Sequence, residues 1–349
     1  MTPPIELALD TFGDITVDAD GRPLSHAQVL RAVVAQAELA DDLGIAFFGV
    51  GEHHRDDFAI SAPEVLLAAI ATATKRIRLG TAVTVLSSDD PIRVYQRFAT
   101  LDALSNGRAE VIVGRGSFTE SFPLFGFALH DYERLFDEKL ALFAQLRLGE
   151  PVTWSGTTRP PLRAQPVYPT LERSPLITWV GVGGTPESVL RAVRHRCRLM
   201  LAIIGGDPSR FRPYVDLYHE GLRADGLASL PVGVHSMGHL AESDREARER
   251  FWPSYRVMRD RIGRERGWGP SSRVEFDREI EQGSLYVGAP DTVAAKIVRT
   301  VTALDLSRFE LKYSAGPLGH DALLQSIALY GREVMPRVHA ALAPVRIAT

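Results

Sequence analysis

Short apolar runs alternate with helix-like segments along most of the chain, and this alternation constrains the fold more than any other feature of the sequence. The first run, "IELALDTF", precedes a capping-box signal formed by Ser25 and Gln28, after which apolar residues keep helical spacing up to Gly44. The next run, "IAFFGVG", follows at once. Buried parallel strands read as continuous apolar runs and need helical crossovers between them, so the pattern predicts a parallel sheet covered by helices.

This strand and helix unit recurs eight times. Strands are predicted at 5–12, 45–51, 77–86, 109–114, 176–184, 199–206, 231–241 and 308–314. Helices are predicted to start at Ser25, at Pro63 between Ser61 and Glu64, at Asp90 and at Pro186, and a last helix is predicted at 320–342. Eight such units predict an α/β fold of the (β/α)8 TIM-barrel type. A chain of 349 residues fits one such domain, 1–349.

Two segments depart from the alternation. Residues 150–176 contain six prolines and keep no helical period, which predicts an insertion loop, with a hairpin as one possibility. Residues 243–283 form a second, highly charged insertion, and seven arginines lie between 253 and 283. Because few apolar side chains would anchor it, residues 253–283 are predicted to form a mobile lid over the strand ends, with a solvated helix as the alternative.

Composition excludes some classes of partner and limits others. The net charge is −3, so the chain lacks the basic field that attracts nucleic acid. Its apolar runs fall short of the roughly 20 residues that span a membrane, and the amino terminus does not resemble a secretory signal. A cytoplasmic location is therefore expected. The single cysteine, Cys197, cannot form an internal disulfide and is interpreted as structural.

The stretch "GEHHRDDF" follows the second predicted strand and places Glu52, His53 and His54 at the catalytic end of a barrel. Adjacent side chains on extended backbone point to opposite faces, so the two histidines make a poor metal site, and no metal is predicted. His53 is predicted to be a general base or hydrogen-bond donor, while His54 packs between strand and helix. This assignment assumes an unbroken strand, and a bulge after Glu52 would exchange the two faces.

Two loops favour an anion. After the fifth strand, "WVGVGGTPESVL" carries Gly183, Gly184 and Thr185 into a helix start, where exposed N–H groups suit a phosphate, although an ordinary helix cap would have the same pattern. After the fourth strand, "IVGRGSFTESFPLFG" offers a fixed charge on Arg115 next to Gly116. Because the two loops follow neighbouring strands, they predict a single phosphate site.

Three stretches in combination resemble the bacterial luciferase-like flavin monooxygenases. They are "GEHHRDDF", "GTAVTVLSSDDPIRVYQRFATLDALSNGRAEVIVGRGSFTESFPLFG" and "GPLGHDALLQSIALYGREVMPRV", and the resemblance runs over about 5–242 and 284–340. The resemblance implies a (β/α)8 barrel that binds a flavin. It implies catalytic residues at His53 and Glu52, and cofactor contacts at Ala82, Val83, Arg115, Gly116, Ser117, Gly183, Gly184 and Thr185. A non-proline cis peptide is often found at the position of Ala82 and Val83.

The resemblance also implies the reaction and its partners. FMN is favoured over the deazaflavin coenzyme, because relatives that use the latter carry an Asp-His pair where this chain has "GEHH". Reduced FMN from a separate flavin reductase would react with oxygen, and one oxygen atom would pass to a small organic substrate. Gly114 stands where luciferase has a reactive cysteine, so light emission is not expected. A homodimer is expected to form through the helices at 61–74 and 91–105.

Three other functions stay open at this point. A deazaflavin-dependent hydride-transfer enzyme is the nearest, and a flavin-binding protein without turnover is the second. The third is a metal hydrolase built on the same barrel, since one fold hosts many chemistries.

Overall fold

The computed structural model describes residues 4–116 and 118–343, and a ring of parallel strands forms its centre. The strands are β1 (Glu6–Thr11), β2 (Phe47–Val50), β3 (Arg78–Thr81), β4 (Thr84–Val85), β5 (Glu110–Gly114), β6 (Val152–Trp154), β7 (Leu162–Gln165), β8 (Ile177–Val182), β9 (Arg198–Ala202), β10 (Val232–Leu240), β11 (Tyr286–Gly288) and β12 (Arg308–Lys312). Neighbours in the ring run in the order β3, β2, β1, β12, β10, β9, β8, β5, β4, and β11 pairs with the end of β10.

The ring is completed between the third and fourth units. A parallel bridge joins Leu79 to Ala109, and β4 pairs with β5. Segments β3 and β4 are two halves of one interrupted strand, so the ring contains the eight strands that the alternation predicts. The (β/α)8 barrel is thereby confirmed.

Helices cover the ring. They are α1 (His26–Asp42), α2 (Pro63–Ala73), α3 (Pro91–Leu104), α4 (Ser121–Phe125), α5 (Tyr132–Leu146), α6 (Pro186–Arg194), α7 (Arg212–Ala224), α8 (Asp244–Arg266), α9 (Arg273–Glu281), α10 (Pro290–Leu304), α11 (His320–Leu329) and α12 (Met335–Leu342). The capping box at Ser25 is confirmed, since the Ser25 N–H donates to Gln28 Oε1 at 2.9 Å and its hydroxyl accepts from the Gln28 N–H. Asp90 caps α3 as predicted. None of the helices in the described ranges is both long and apolar enough to cross a membrane.

Helix α2 starts at Pro63, as predicted, but Ser61 does not cap it. Pro63 is the first helical residue, so the cap position falls on Ala62, and Ser61 lies one residue too early to cap the helix. Glu64 is consequently free of a capping role and lies buried, 3.3 Å from Arg97 Nε. Burial raises the pKa of Glu64 to about 7.

The structure defines the secondary structure of the two segments, 150–176 and 243–283. In the first, β6 and β7 form an antiparallel hairpin. In the second, α8 and α9 are regular helices, which corresponds to the helical alternative. The expectation of weak anchoring is wrong, because Phe251, Met258, Phe276 and Ile280 are buried and attach both helices to the barrel. Lid motion of this segment stays a prediction.

The helices α2 and α3 leave apolar and small side chains in solvent, and this surface generates the first prediction. Val65 is 71% exposed and Leu104 is 53% exposed, while Ala69 is exposed between them in sequence and Ala71 is buried in the chain's own core. We expect light scattering at micromolar concentration to give twice the chain mass of 38.4 kDa. Ala69→Arg should give the monomer mass, because it places a charge in a closely packed contact.

A control for this experiment is Val274→Arg, which changes a residue of α9 that is 78% exposed. It should leave the dimer intact. A monomeric wild-type protein, or equal behaviour of the two variants, would contradict pairing through α2 and α3.

Candidate active site

A cavity of about 750 Å³ lies at the carboxyl ends of the strands. Most residues predicted for the site line it, each just beyond a strand: Glu52 and His53 after β2, Ala82 and Val83 between β3 and β4, Arg115 and Gly116 after β5, and Gly183 after β8. Gly184 and Thr185 follow at the start of α6. Ser117 lies outside the described residues. The fold therefore brings loops from distant parts of the chain to one chamber.

His53 lies in an aromatic enclosure at the rim of this cavity. Its ring centroid is 4.4 Å from that of Phe58, 4.8 Å from that of Phe12 and 5.0 Å from that of Phe118. His53 Nδ1 lies 3.2 Å from Glu120 Oε1. Burial opposes the charged form of Glu120, but hydrogen bonds from the His53 ring and from backbone N–H groups outweigh it and lower the pKa of Glu120. The pair holds the ring in one orientation, as a proton-handling group requires.

His54 has a different partner. His54 Nε2 lies 3.0 Å from Glu52 Oε1, and Glu52 Oε2 accepts a hydrogen bond of 2.8 Å from the Val85 N–H. Both side chains are 8% exposed. Glu52 thus connects His54 to β4, beside the interruption of the third strand.

The prediction that His53 and His54 face opposite sides is wrong. Both residues line the cavity. The reason is that β2 ends at Val50, so the alternation of an extended strand no longer applies three residues later.

The interruption of the third strand forms one wall of the cavity. The peptide bond between Ala82 and Val83 is cis, as the family resemblance implies. A Cβ atom on Gly114 would lie 2.7 Å from Val83 Cγ2, and one on Gly181 would lie 3.1 Å from Val83 Cγ1. Glycine at these two positions gives Val83 room to project into the cavity, which leaves a shallow apolar cradle beside it.

A polar cluster lies at one end of the cavity, at the start of α6. Arg115 Nη2 donates to Ser188 Oγ at 3.3 Å, and Thr185 Oγ1 donates to the same oxygen at 2.8 Å. Arg191 also donates to Ser188 Oγ at 3.3 Å, and both arginines form ion pairs with Glu133. Two guanidinium groups, hydroxyl groups and a helix start converge here, which is the donor set that binds phosphate. The apolar cradle and this cluster together fit a cofactor with a planar ring and a phosphate.

Sequence reasoning missed Ser188 and Arg191. The signal was present in "TPESVLR", because residues spaced by three along a helix lie on one face, so Thr185, Ser188 and Arg191 share a side of α6. The link from Ser188 to Arg115 spans 73 positions and could not be read from local pattern.

The second insertion covers the cavity. Met258 and Ile262 of α8, Trp268 between α8 and α9, and Phe276 of α9 contribute apolar surface to its lining. Ion pairs connect this cover to the loop after β2, with Arg55 Nη1 to Glu265 Oε2 at 2.6 Å and Arg261 Nε to Asp57 Oδ2 at 3.2 Å. These contacts hold the mouth in the closed arrangement seen here.

Sequence reasoning weighed a metal at the adjacent histidines and at His235 with His239, and predicted none, because the second pair has helical spacing on a predicted strand. Within the described chain, the structure brings together Asp10 of β1, His235 of β10 and Glu310 of β12, whose ligand-type atoms all lie within 4.8 Å of one another. His235 and Glu310 line the same cavity. The strand "RFELKYS" carried a signal for part of this cluster, because charged residues at 308, 310 and 312 share one face of a strand.

Sequence comparison relates the chain to known proteins. A family model described as luciferase-like monooxygenase matches residues 12–306. The chain belongs to this family. Among curated relatives of this luciferase-like protein, the N-acetyl-S-alkylcysteine monooxygenase of Bacillus subtilis is 28% identical over 302 residues, which cover 80% of this chain and 85% of the relative. The protein is therefore an enzyme of the luciferase-like monooxygenase type.

Solved structures share the fold of this luciferase-like enzyme. Monooxygenase RslO1 from Streptomyces bottropensis superposes with a TM-score of 0.81 at 24% identity, over 95% of this chain and 99% of that one. The oxygenating constituent of 3,6-diketocamphane monooxygenase from Pseudomonas putida, solved with FMN, gives 0.75 at 19% identity over 98% and 100%. The coenzyme F420-dependent tetrahydromethanopterin reductase from Methanopyrus kandleri gives 0.68 at 19% identity over 96% and 100%. The fold thus accompanies either a flavin or a deazaflavin cofactor.

The ion pairs across the mouth generate the second prediction. If residues 253–283 open and close, hydrogen exchange of α8 and α9 should slow when FMN binds, because the ligand fills the cavity beneath them. Arg261→Ala should speed exchange in the free protein, since it removes an ion pair that crosses the mouth.

The matched control is Arg256→Ala, which removes an ion pair within α8, to Asp260. Its exchange should resemble that of the wild type. Equal protection with and without FMN would reject the lid.

Proposed function

We propose that the protein is a flavin-dependent monooxygenase that uses reduced FMN and oxygen to oxygenate a small organic substrate. One observation carries this proposal: a single cavity connects the phosphate-type cluster at Arg115 to the cradle at Val83 and to the histidine rim at His53. An FMN molecule carries a phosphate at one end and a ring at the other, so the cluster would take the phosphate, the cradle would take the ring, and His53 would stand beside the reacting atoms. One oxygen atom enters the substrate and the other becomes water, with the two electrons coming from the reduced cofactor.

The phosphate would be held at the start of α6. Arg115 and Arg191 supply charge, Thr185 and Ser188 supply hydroxyl groups, and Gly183 and Gly184 allow the backbone to approach. Gly184 has a φ of 106°, which side chains other than glycine rarely adopt. Gly116 and Ser117 are proposed to complete the site from the β5 loop. Glu133, which is largely exposed, pairs with both arginines in this structure and would yield them to the phosphate.

The ring would lie against Ala82 and Val83, in the room that Gly114 and Gly181 provide. When bound, reduced FMN supplies the electrons that activate oxygen. The chain's own part is to orient the reactants and to exclude water. Aromatic side chains around His53, together with the cover formed by α8 and α9, make the chamber apolar. His53 would hold or move a proton through Nε2, because Nδ1 is directed at Glu120.

A deazaflavin-dependent hydride transfer is the second candidate, and the fold match to the F420-dependent reductase favours it. Affinities for reduced FMN and for the deazaflavin coenzyme, measured on the same preparation, separate the two. In the FMN case, turnover with NADH should require an added flavin reductase, since reduced FMN is proposed to come from a separate enzyme.

The third prediction tests the proposed function. With reduced FMN, oxygen-18 gas and a panel of organic compounds, one labelled oxygen atom should appear in a product, which mass spectrometry detects.

Arg115→Ala should weaken reduced-FMN binding by about 1.5 to 3 kcal/mol, the range for a charge-assisted hydrogen bond. Anaerobic fluorescence titration measures this affinity.

The control for Arg115→Ala is Arg194→Ala, which changes an exposed arginine in the last turn of α6, away from the cluster at the start of that helix. It should bind reduced FMN like the wild type. Unchanged affinity in Arg115→Ala would remove Arg115 from the site, and absence of labelled product throughout the panel would count against oxygenation.

The fourth prediction separates the two histidines. His53→Ala should lower the rate about 100-fold or more, the scale of one lost general acid or base, with flavin affinity and melting temperature nearly unchanged. His54→Ala should destabilise the protein by about 1 to 3 kcal/mol, because Glu52 loses a partner in a buried position. Rates would be measured with a substrate from the panel, and stability by urea unfolding.

His130→Ala is the control, since that side chain is 82% exposed. It should change neither quantity. Full turnover in His53→Ala at saturating reduced flavin would show that His53 is not the catalytic histidine.

A further inference from the structure

A second histidine faces the cavity from the barrel wall. His235 of β10 is 13% exposed at its side chain and lines the chamber. His235 Nδ1 lies 2.8 Å from Asp10 Oδ2 of β1, and Asp10 is fully buried. This contact is separate from the pair formed by His53 and Glu120. The Phe12 ring packs against both histidines, with its centroid 4.8 Å from that of His53 and 5.9 Å from that of His235.

The contact selects one form of the neutral imidazole. A carboxylate only accepts hydrogen bonds, so Asp10 requires the proton of His235 to be on Nδ1. The lone pair is then on Nε2. Within the residues that the structure describes, no hydrogen bond to His235 Nε2 is present, and this nitrogen is not among the buried unpaired atoms. His235 therefore presents a hydrogen-bond acceptor to the cavity.

The charged groups around His235 come from two of the strands packed against it. Glu310 and Lys312 of β12 and Asp10 of β1 lie near His235. The residue of β9 in register with His235 is Ala202, which is uncharged. Lys312 Nζ lies 3.0 Å from Asp14 Oδ2, so its charge is already paired. Burial raises the pKa of Glu310 well above its ordinary value, and Glu310 Oε1 lies 3.3 Å from Arg308 Nη1, which makes Arg308 its nearest charged partner. Asp10 is thus the carboxylate that balances a charged His235.

Two oxygen atoms of this cluster are left without partners among the described residues. Asp10 Oδ1 and Glu310 Oε2 are buried, and each is without a hydrogen-bond partner in the described chain. Buried polar atoms are normally paired, so unpaired ones mark a site where a proton, a water molecule or a ligand is expected. The cluster lies directly under a chamber whose other walls are mainly apolar.

We propose that His235, held by Asp10, is a second catalytic base, which accepts the proton of a phenol or enol hydroxyl in the bound substrate. The substrate's O–H bond breaks, an N–H bond forms at Nε2, and the electron pair stays on the substrate oxygen. The imidazolium then pairs with the Asp10 carboxylate. The conjugate anion places electron density on the ring carbons ortho and para to the oxygen, or on the β-carbon of an enolate. An electrophilic oxygen donor attacks this carbon most readily, and the proton returns to the product.

The choice of hydroxyl follows from acidity and shape. Imidazole has an unperturbed pKa near 6.5 and a phenol such as tyrosine near 10, so transfer between them is within reach, whereas an aliphatic alcohol is a far weaker acid. Phe12, Phe58 and Phe118 give the chamber flat aromatic walls that suit a planar substrate. This assignment names a substrate class and rests on the oxygenase function proposed above.

The tautomer is tested first and needs no cofactor. In protein labelled with nitrogen-15 in its histidine rings, long-range proton–nitrogen spectra at pH 7 should show neutral His235 with its proton on Nδ1. The signal is assigned by its loss in His235→Asn. Asp10→Asn should shift the proton to Nε2, because the asparagine amide can donate to Nδ1. A wild-type ring protonated on Nε2 alone, or on both nitrogens, would overturn the proposal.

Proton transfer is tested with 4-nitrophenol, whose phenolate absorbs at a longer wavelength than the phenol. In the flavin-free protein, the bound fraction should be more ionised than free nitrophenol at the same pH. His235→Asn and Asp10→Asn should reduce the amount of bound phenolate at least tenfold. Asparagine is chosen at position 235 because its amide can still donate a hydrogen bond to Asp10, which preserves the fold. His239→Leu is the matched control, because His239 lies on the same strand, stacks on Phe251 and has no hydrogen-bond partner in the described residues.

The outcomes separate this inference from the function on which it rests. Loss of FMN binding or of oxygen incorporation, with the phenolate signal intact, would count against the monooxygenase and not against His235. No binding of nitrophenol at millimolar concentration, or equal ionisation in His235→Asn, would overturn the inference. Tight one-to-one binding of Zn2+ or Mn2+ that disappears in Asp10→Asn and Glu310→Gln would also overturn it, since the cluster would then be a cation site.

Discussion

The architecture depends on one buried guanidinium group. Arg308 of β12 is fully buried and lies 2.7 Å from both Glu6 and Glu110, carboxylates of β1 and β5, and 3.3 Å from Glu310. The rings of Phe47 and Trp179 lie 4.6 and 4.5 Å from it. Although burial opposes its charge, the surrounding carboxylates raise the pKa of Arg308. A buried charge is tolerated only when fully paired, so the strands that carry the partners must occupy these places in the ring.

This ion cluster organises the barrel interior from its amino-terminal end toward the cavity. Along β12, residues 308, 310 and 312 point inward at successive levels. The first level is fully ion-paired and closes the barrel, and the second holds Glu310 opposite His235. Lys312 and Met237 form the level that faces the cavity. The interior thus changes from a fully ion-paired base to a chamber whose lining surface is mainly apolar.

The chamber has a mainly apolar lining, and two of its polar side chains are held in place by carboxylates. Two histidines are oriented by two different carboxylates, His53 by Glu120 and His235 by Asp10. At the other end, the guanidinium pair near α6 provides a strong anion site. A cavity with an anion site at one end and oriented acid–base groups at the other can bind a phosphorylated cofactor and still leave room for a second reactant, which is what an oxygenation requires.

The sequence by itself determined the order of strands and helices, because hydrophobic period and helix caps are encoded within a few residues, as at Ser25 and Asp90. It also identified the loops of the site, since the carboxyl ends of parallel strands meet on one side of a barrel. It could not say how far β2 extends, and the assignment of His53 and His54 to opposite faces failed for that reason. The end of a strand depends on its neighbours in the sheet.

Only the tertiary structure decided which distant side chains meet. Asp10 and His235 are 225 positions apart, and their contact follows from the positions of β1 and β10 on either side of β12. The alternation of side chains places His235 on one face of β10, but the sequence of that strand gives no indication of its partner. Closure of the ring supplies that information, because it sets the register between strands and thereby the height at which each inward side chain stands.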